Sequence, residues 1–153
     1  MMQCRRYLAG MHVSFALFAD AANISQEGKL NVMGIFDAVH VAQLPALHPR
    51  ATFVVRLKAS SADAGVHPFR IRWLNPRGVE LWSSEAELEV GAPPPGTSEL
   101  DMPVILQLDL PLDLVGDYRM TIDVKGQSAA VSVLHVRGGA PPVVPPPQGQ
   151  MVS

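Results

Sequence analysis

The sequence predicts an all-β fold: an antiparallel, immunoglobulin-like β-sandwich of about eight strands. Three observations predict it. Apolar and polar residues alternate with period two along most of the chain, and helical periodicity is nearly absent. Gly, Pro, Asn or Asp breaks that alternation roughly every eight to twelve residues, the spacing of turns in sandwiches and barrels.

With 153 residues, 48% hydrophobic and 17% charged, the chain has the size and composition of one folded domain. Such a domain buries roughly two thirds of its unfolded surface without metals or disulfides. One core is therefore expected, over residues 12–137, between an N-terminal extension (1–11) and a Pro/Gly-rich tail (138–153). Twelve basic and 14 acidic residues are scattered through the sequence for a formal net charge of -2, which leaves no footprint for nucleic acid or an anionic membrane. The single cysteine, Cys4, precludes an internal disulfide and suits a reducing, cytoplasmic compartment. No apolar stretch has the length of a membrane-spanning helix.

The first run, Val13 to Asp20, places Val13, Phe15, Leu17 and Ala19 on alternate positions, as a first strand does. Arg5 and Arg6 before an apolar stretch ending near Ala19-Asp20-Ala21 also suit a signal peptide, but His12 and Ser14 interrupt it and favour the strand. Asn23 to Lys29 is a polar loop in which Gly28 supplies a positive φ. Leu30 to Val41 is apolar on both faces: a central strand, or one bulged near Gly34. Pro45 and Pro49 cannot donate to a ladder, so the chain is expected to leave the sheet between Leu44 and Pro49.

Ala51, Phe53, Val55 and Leu57 then point one way and Thr52, Arg56 and Lys58 the other. Phe69, Ile71 and Trp73 alternate with Arg70 and Arg72 and run into Asn75-Pro76-Arg77-Gly78, which specifies a type I turn closed by a left-handed glycine. With Asn75 facing Val79, the register sets Trp73 opposite Leu81 and Arg72 opposite Trp82, turning Trp82 outward. A bulge near Ser83-Ser84 then returns Ala86, Leu88 and Val90 to the buried face; an earlier bulge would instead turn Trp82 into the core.

Gly91 to Gly96, with three prolines, is a stiff loop. Val104, Leu106, Leu108 and Leu110 form the next strand, followed by Tyr118, Met120, Ile122 and Val124 inward, a turn at Lys125-Gly126, and a last strand from about Ser128 to Val136. Tyr118 is placed as the loop-anchoring tyrosine of immunoglobulin-like sandwiches. The tail, with Pro141-Pro142-Val143-Val144-Pro145-Pro146-Pro147, is expected to be disordered and to sample polyproline conformations.

Phe15 to Asp20, Gly28-Lys29-Leu30-Asn31, Gly34-Ile35-Phe36-Asp37, Leu44-Pro45 and Phe53 to Arg56 together resemble a bacterial family of small domains of unknown function, over residues 12 to about 125. The resemblance implies a β-sandwich beginning at Met11, with residues before it an extension or an artefact of start-site choice. It carries no activity, cofactor or catalytic residue.

Catalytic chemistry finds little foothold. No Ser or Cys sits in a nucleophile turn, and no Gly-rich phosphate loop is present. His12, His40, His48, His67 and His135 lack the close paired spacing common in metal ligands. Asp20, Asp37, Asp109, Asp113 and Asp117 could gather at one end of the sandwich, yet no loop has the dense alternation of Ca²⁺ sites. No catalytic residue, cofactor or metal is therefore expected.

Three features suit binding. Arg70, Arg72 and Trp82 form an outward cluster of the residue types that dominate interface hot spots. Asp20, Asn23, Gly28, Lys29 and Asn31 form a polar loop where the family resemblance is densest, or simply build a tight connection. Pro142-Val143-Val144-Pro145 has PxxP spacing, or is spacer. The expected function is a non-enzymatic interaction or structural module with an unknown protein partner or a second copy. The alternative is a small-ligand or metal-binding domain at the loop ends, with hydrolytic activity.

Overall fold

The computed structural model describes residues 10–139. Nine strands run in the order β1 (His12–Ile24), β2 (Leu30–Phe36), β3 (Ala38–Val41), β4 (Ala46–Ser60), β5 (Gly65–Leu74), β6 (Glu80–Val90), β7 (Glu99–Leu112), β8 (Gly116–Val124) and β9 (Gln127–Gly138), with one 3-10 turn at Ser61–Asp63. They form two sheets, ordered β2-β1-β4-β7 and β3-β9-β8-β5-β6. Cys4, the PxxP segment, most of the N-terminal extension and nearly all of the tail lie outside the described residues.

One face of each sheet supplies the core, because alternate side chains of a strand point to opposite faces. Phe53, Val55 and Leu57 of β4 meet Phe69, Ile71 and Trp73 of β5, Met120 and Ile122 of β8 and Leu134 of β9. Phe18 of β1 joins the sheets, its ring 4.9 Å from Phe53 and 6.0 Å from Trp73. Trp73 stacks on Tyr118 at 5.1 Å. Such aromatic pairs add about 0.5–1.5 kcal/mol beyond their area.

The tyrosine anchor forms as expected. The Tyr118 hydroxyl accepts from the backbone N–H groups of Asp113 (2.7 Å) and Leu114 (2.8 Å) and donates to Asp113 Oδ1 (2.7 Å). That hydrogen bond is the main reason the Asp113 carboxyl is held below its ordinary range, and burial pushes the Tyr118 hydroxyl up. Asn75 Nδ2 donates to Asp113 Oδ2 (3.0 Å), tying the β5–β6 turn to the β7–β8 connection.

The all-β two-sheet fold forms as expected, and four details of it differ. There are nine strands rather than about eight, because Leu30–Val41 divides at Asp37 into β2 and β3, which lie at edges of different sheets. The run is apolar on both faces for that reason, not because it is central or simply bulged at Gly34. The fold is also mixed, since β3 pairs with β9 in parallel, Ala38 opposite His135. Pro45 and Pro49 do not keep the chain out of the sheet: β4 already pairs with β7 at Ala46–His48, and Pro49 sits in the irregularity between His48 and Ala51. Finally, β1 shifts register between Val13 and Phe15. Val13 packs on the core, but Phe15, Leu17 and Ala19 share the opposite side with Arg56, Val54 and Thr52, while Ala16 and Phe18 turn inward.

Candidate functional site

The Asn75–Gly78 turn forms as its sequence specifies. Gly78 N–H donates to Asn75 O (2.8 Å), Asn75 N–H to Val79 O (2.9 Å), and the Asn75 side chain accepts from Arg77 and Val79. The register beyond it is not the expected one. Leu74 lies opposite Glu80 but Trp73 lies opposite Trp82, so the bulge falls at Leu81, ahead of Ser83-Ser84. This earlier bulge turns Trp82 onto the face of Trp73, where it packs partly buried against the core. One residue inserted at Leu81 places Trp82, Ser84, Ala86, Leu88 and Val90 on one side.

The cluster of Arg70, Arg72 and Trp82 is therefore not assembled: the two arginines stand on the outer face and the indole on the inner. Arg70 pairs with Glu80 (3.7 Å) and Glu85 (3.6 Å), and Arg72 with Asp123 (3.6 Å). Both arginines thus stand beside negative charges on that face.

Asp20, Asn23, Gly28, Lys29 and Asn31 come together as the β1–β2 hairpin rather than as an open loop. Ser25 N–H donates to Lys29 O (2.8 Å) and Gly28 N–H to Ser25 O (2.9 Å), with Gly28 at φ 83°. Asn31 Nδ2 donates across to Asn23 Oδ1 (2.9 Å). Asp20 sits apart from the turn, against Gly34, where an added Cβ would lie only 2.3 Å from its carboxylate oxygen. Gly34 takes φ 69° and makes room for that carboxylate.

Several of the remaining acidic and histidine residues are engaged separately. Asp117 meets His135 Nδ1 (2.7 Å), and Asp109 accepts from the Arg50 N–H (3.0 Å). Lys125 Nζ lies 2.5 Å from the Asp63 carboxylate, which also accepts from Ser60 N–H (2.8 Å) and Ser60 Oγ (3.1 Å). Burial opposes the charge on Asp63, but these hydrogen bonds outweigh it and hold the carboxyl below its usual range. Among the described residues no group of three or more His, Cys, Asp or Glu is arranged to hold a metal ion, and no helix is long and apolar enough to cross a membrane.

The most distinctive surface is one the sequence reading missed: the outer face of the β2-β1-β4-β7 sheet. Residues directly opposite each other share a face. Ile35 lies opposite Ala19, Met33 opposite Ala21, Leu17 opposite Val54, and Val54 opposite Ile105. Ala19 and Val54 are 0% exposed, yet neither belongs to the core between the sheets; their outer-face neighbours cover them. Met33 and Ile35 are 57% and 61% exposed. Arg56, Lys58 and Asp101 mark one end, with Asp101 bound to Arg56 (2.6 Å) and near Lys58 (3.5 Å). The signal was present in the unbroken apolar triplets Phe53-Val54-Val55 and Val104-Ile105-Leu106, whose middle residues point away from the core.

No curated protein matches the chain. Residues 14–137, which include every strand except the first two residues of β1 and the last residue of β9, match a described family, and the chain belongs to it: a family of unknown function (DUF6941).

Proposed function

We propose that this domain is a non-enzymatic protein-interaction module that docks a protein partner on the outer face of its four-stranded sheet. One observation carries the reading: Ala19 and Val54 are buried outside the core by an apolar layer whose edge, Met33 and Ile35, remains more than half exposed. Contiguous exposed apolar surface with a polar rim is the composition of a docking face. The loop-anchoring Tyr118 supports an immunoglobulin-like scaffold, and the lone Cys4 suits a reducing, cytoplasmic setting.

Photo-crosslinking side chains placed singly at Ile35, Ile105 and Arg119 in the source cells test this. Arg119 is exposed on the outer face of the other sheet. Protein adducts are expected from Ile35 and Ile105 and not from Arg119. No adducts, or equal adducts from both faces, would overturn the reading.

A further inference from the structure

We propose that a second copy of the chain pairs with the β2 edge of this face, joined β2 to β2 in antiparallel fashion about a two-fold axis through Met33. The proposal rests on the interaction reading and deepens it by naming the partner at the β2 edge, with the Ile105 end of the face left for a partner seated on it. Each sheet leaves two edges, and natural edge strands are protected by shortness, charge or proline. The edge strand β3 has only four residues. The edge strand β6 carries Glu80, Glu85, Glu87 and Glu89, and β7 carries Glu99, Asp101, Pro103, Asp109 and Pro111. The fourth edge, β2, reads Leu-Asn-Val-Met-Gly-Ile-Phe, seven residues with neither charge nor proline.

Hydrogen-bond phase limits how this edge pairs. Ser25 and Lys29 form a bonded pair at the hairpin mouth, and bonded and non-bonded pairs alternate along an antiparallel ladder. Asn31, Met33 and Ile35 thus turn their amide groups toward β1, leaving those of Leu30, Val32, Gly34 and Phe36 on the free side. An axis through Met33 joins Val32 to Gly34 of the partner subunit and Leu30 to Phe36 of the partner subunit, free group to free group. Gly34 bends the strand at φ 69°, and this axis sets the bends of the two copies on opposite sides of it.

Charge then selects the register. Lys29 and Asp37 flank β2, each four positions from Met33. Antiparallel pairing about Met33 sets each Lys29 opposite Asp37 of the partner subunit, twice by symmetry. Moving the axis to Val32 or Gly34 separates those charges, and parallel pairing sets like against like. Lys29 has only a loose contact with Glu27 (3.9 Å), both side chains about three-quarters exposed (74% and 76%), and Asp37 is exposed with no ion pair among the described residues. The dimer brings the two Met33 side chains together and carries the apolar face across an eight-stranded sheet.

Sedimentation of the full chain in a Cys4→Ser background tests the proposal. The chain is expected to dimerise. Lys29→Asp alone and Asp37→Lys alone are each expected to weaken the dimer about tenfold, two surface pairs turning repulsive, and the double exchange to restore it to within a few-fold of the parent. Met33→Cys is expected to yield a disulfide-linked dimer on mild oxidation, since a non-bonded pair sets Cα atoms about 4.5 Å apart. Ile35→Cys alone is expected not to. A monomer at all concentrations, or a dimer indifferent to both single exchanges, would overturn the self-pairing. Adducts of other proteins at Ile35 and Ile105 alongside a monomer would leave the broader interaction reading standing.

Discussion

The outer faces of the two sheets differ in a way their inner faces do not. On the five-stranded sheet the outward positions hold Arg70, Arg72, Glu85 and Asp123 in compensating pairs, with the exposed Val66 and Val131 set apart on β5 and β9. On the four-stranded sheet the outward positions bring Leu17, Ala19, Val54, Ile105, Met33 and Ile35 together, with Thr52 and Gln107 beside them and Arg56 and Lys58 toward one end. Both sheets turn their inner faces into one core, and that core does not require the second outer face to be apolar. Exposed apolar side chains gain nothing for the isolated fold, whereas burying one against a partner is worth about 1.5–3 kcal/mol. In the proposed reading, the five-stranded sheet is a wall and the four-stranded sheet the contact surface.

Neighbouring residues of β4 give the largest expected contrast. Phe53 and Val54 are both 0% exposed, but only Phe53 belongs to the core. Phe53→Ala should cost about 3–5 kcal/mol by urea denaturation. Val54→Ala should cost about 1–2 kcal/mol, the transfer of its lost methyl groups with little enclosed cavity. Equal costs would mean that the outer layer is as closed as the core, and the comparison would fail.

Trp82→Ala should cost about 2–3 kcal/mol, less than truncation of a fully buried aromatic. A cost below about 0.5 kcal/mol, the size of an ordinary surface substitution, would return Trp82 to the outer face beside the arginines. Arg72→Ala should change stability by at most about 1 kcal/mol, as an exposed ion pair does. Larger loss would show that the charged face is structural rather than a solvated wall.

What was legible follows from which strands bury one face only. β4, β5 and β8 alternate cleanly, and the Asn75–Gly78 turn and Tyr118 anchor are local chemistry, so the sandwich and its hinge points could be read directly. The bulges at Ser14 and Leu81 could not, because a strand tolerates an extra residue at many positions and tertiary burial of Phe18 or Trp82 chooses among them. One residue's shift exchanges the two faces. That is why the sequence alone sets Trp82 beside Arg70 and Arg72, whereas the structure sets it on the opposite face. The parallel pairing of β3 with β9 joins segments about a hundred residues apart and leaves no local signal.

The smallest expected effect is on pH dependence. Because the Asp63 carboxyl is held below its unfolded value, its contribution is present above about pH 4 and is lost as pH falls through the folded value. Asp63→Asn should flatten stability against pH below about pH 4, with no change in self-association. Altered association would tie the Asp63–Lys125 end of the sandwich to the interface and blur the distinction between the faces.

The central claim, that the apolar outer face is an occupied contact surface, is tested most directly by peroxide footprinting of methionines by mass spectrometry. Met33, 57% exposed, and Met120, 0% exposed, set the two ends of the scale. In dilute purified protein Met33 should oxidise rapidly and Met120 hardly at all. At high protein concentration Met33 should become protected while Met120 stays unchanged. Met33 oxidation that is equally rapid at every concentration and in cell extract would contradict the account.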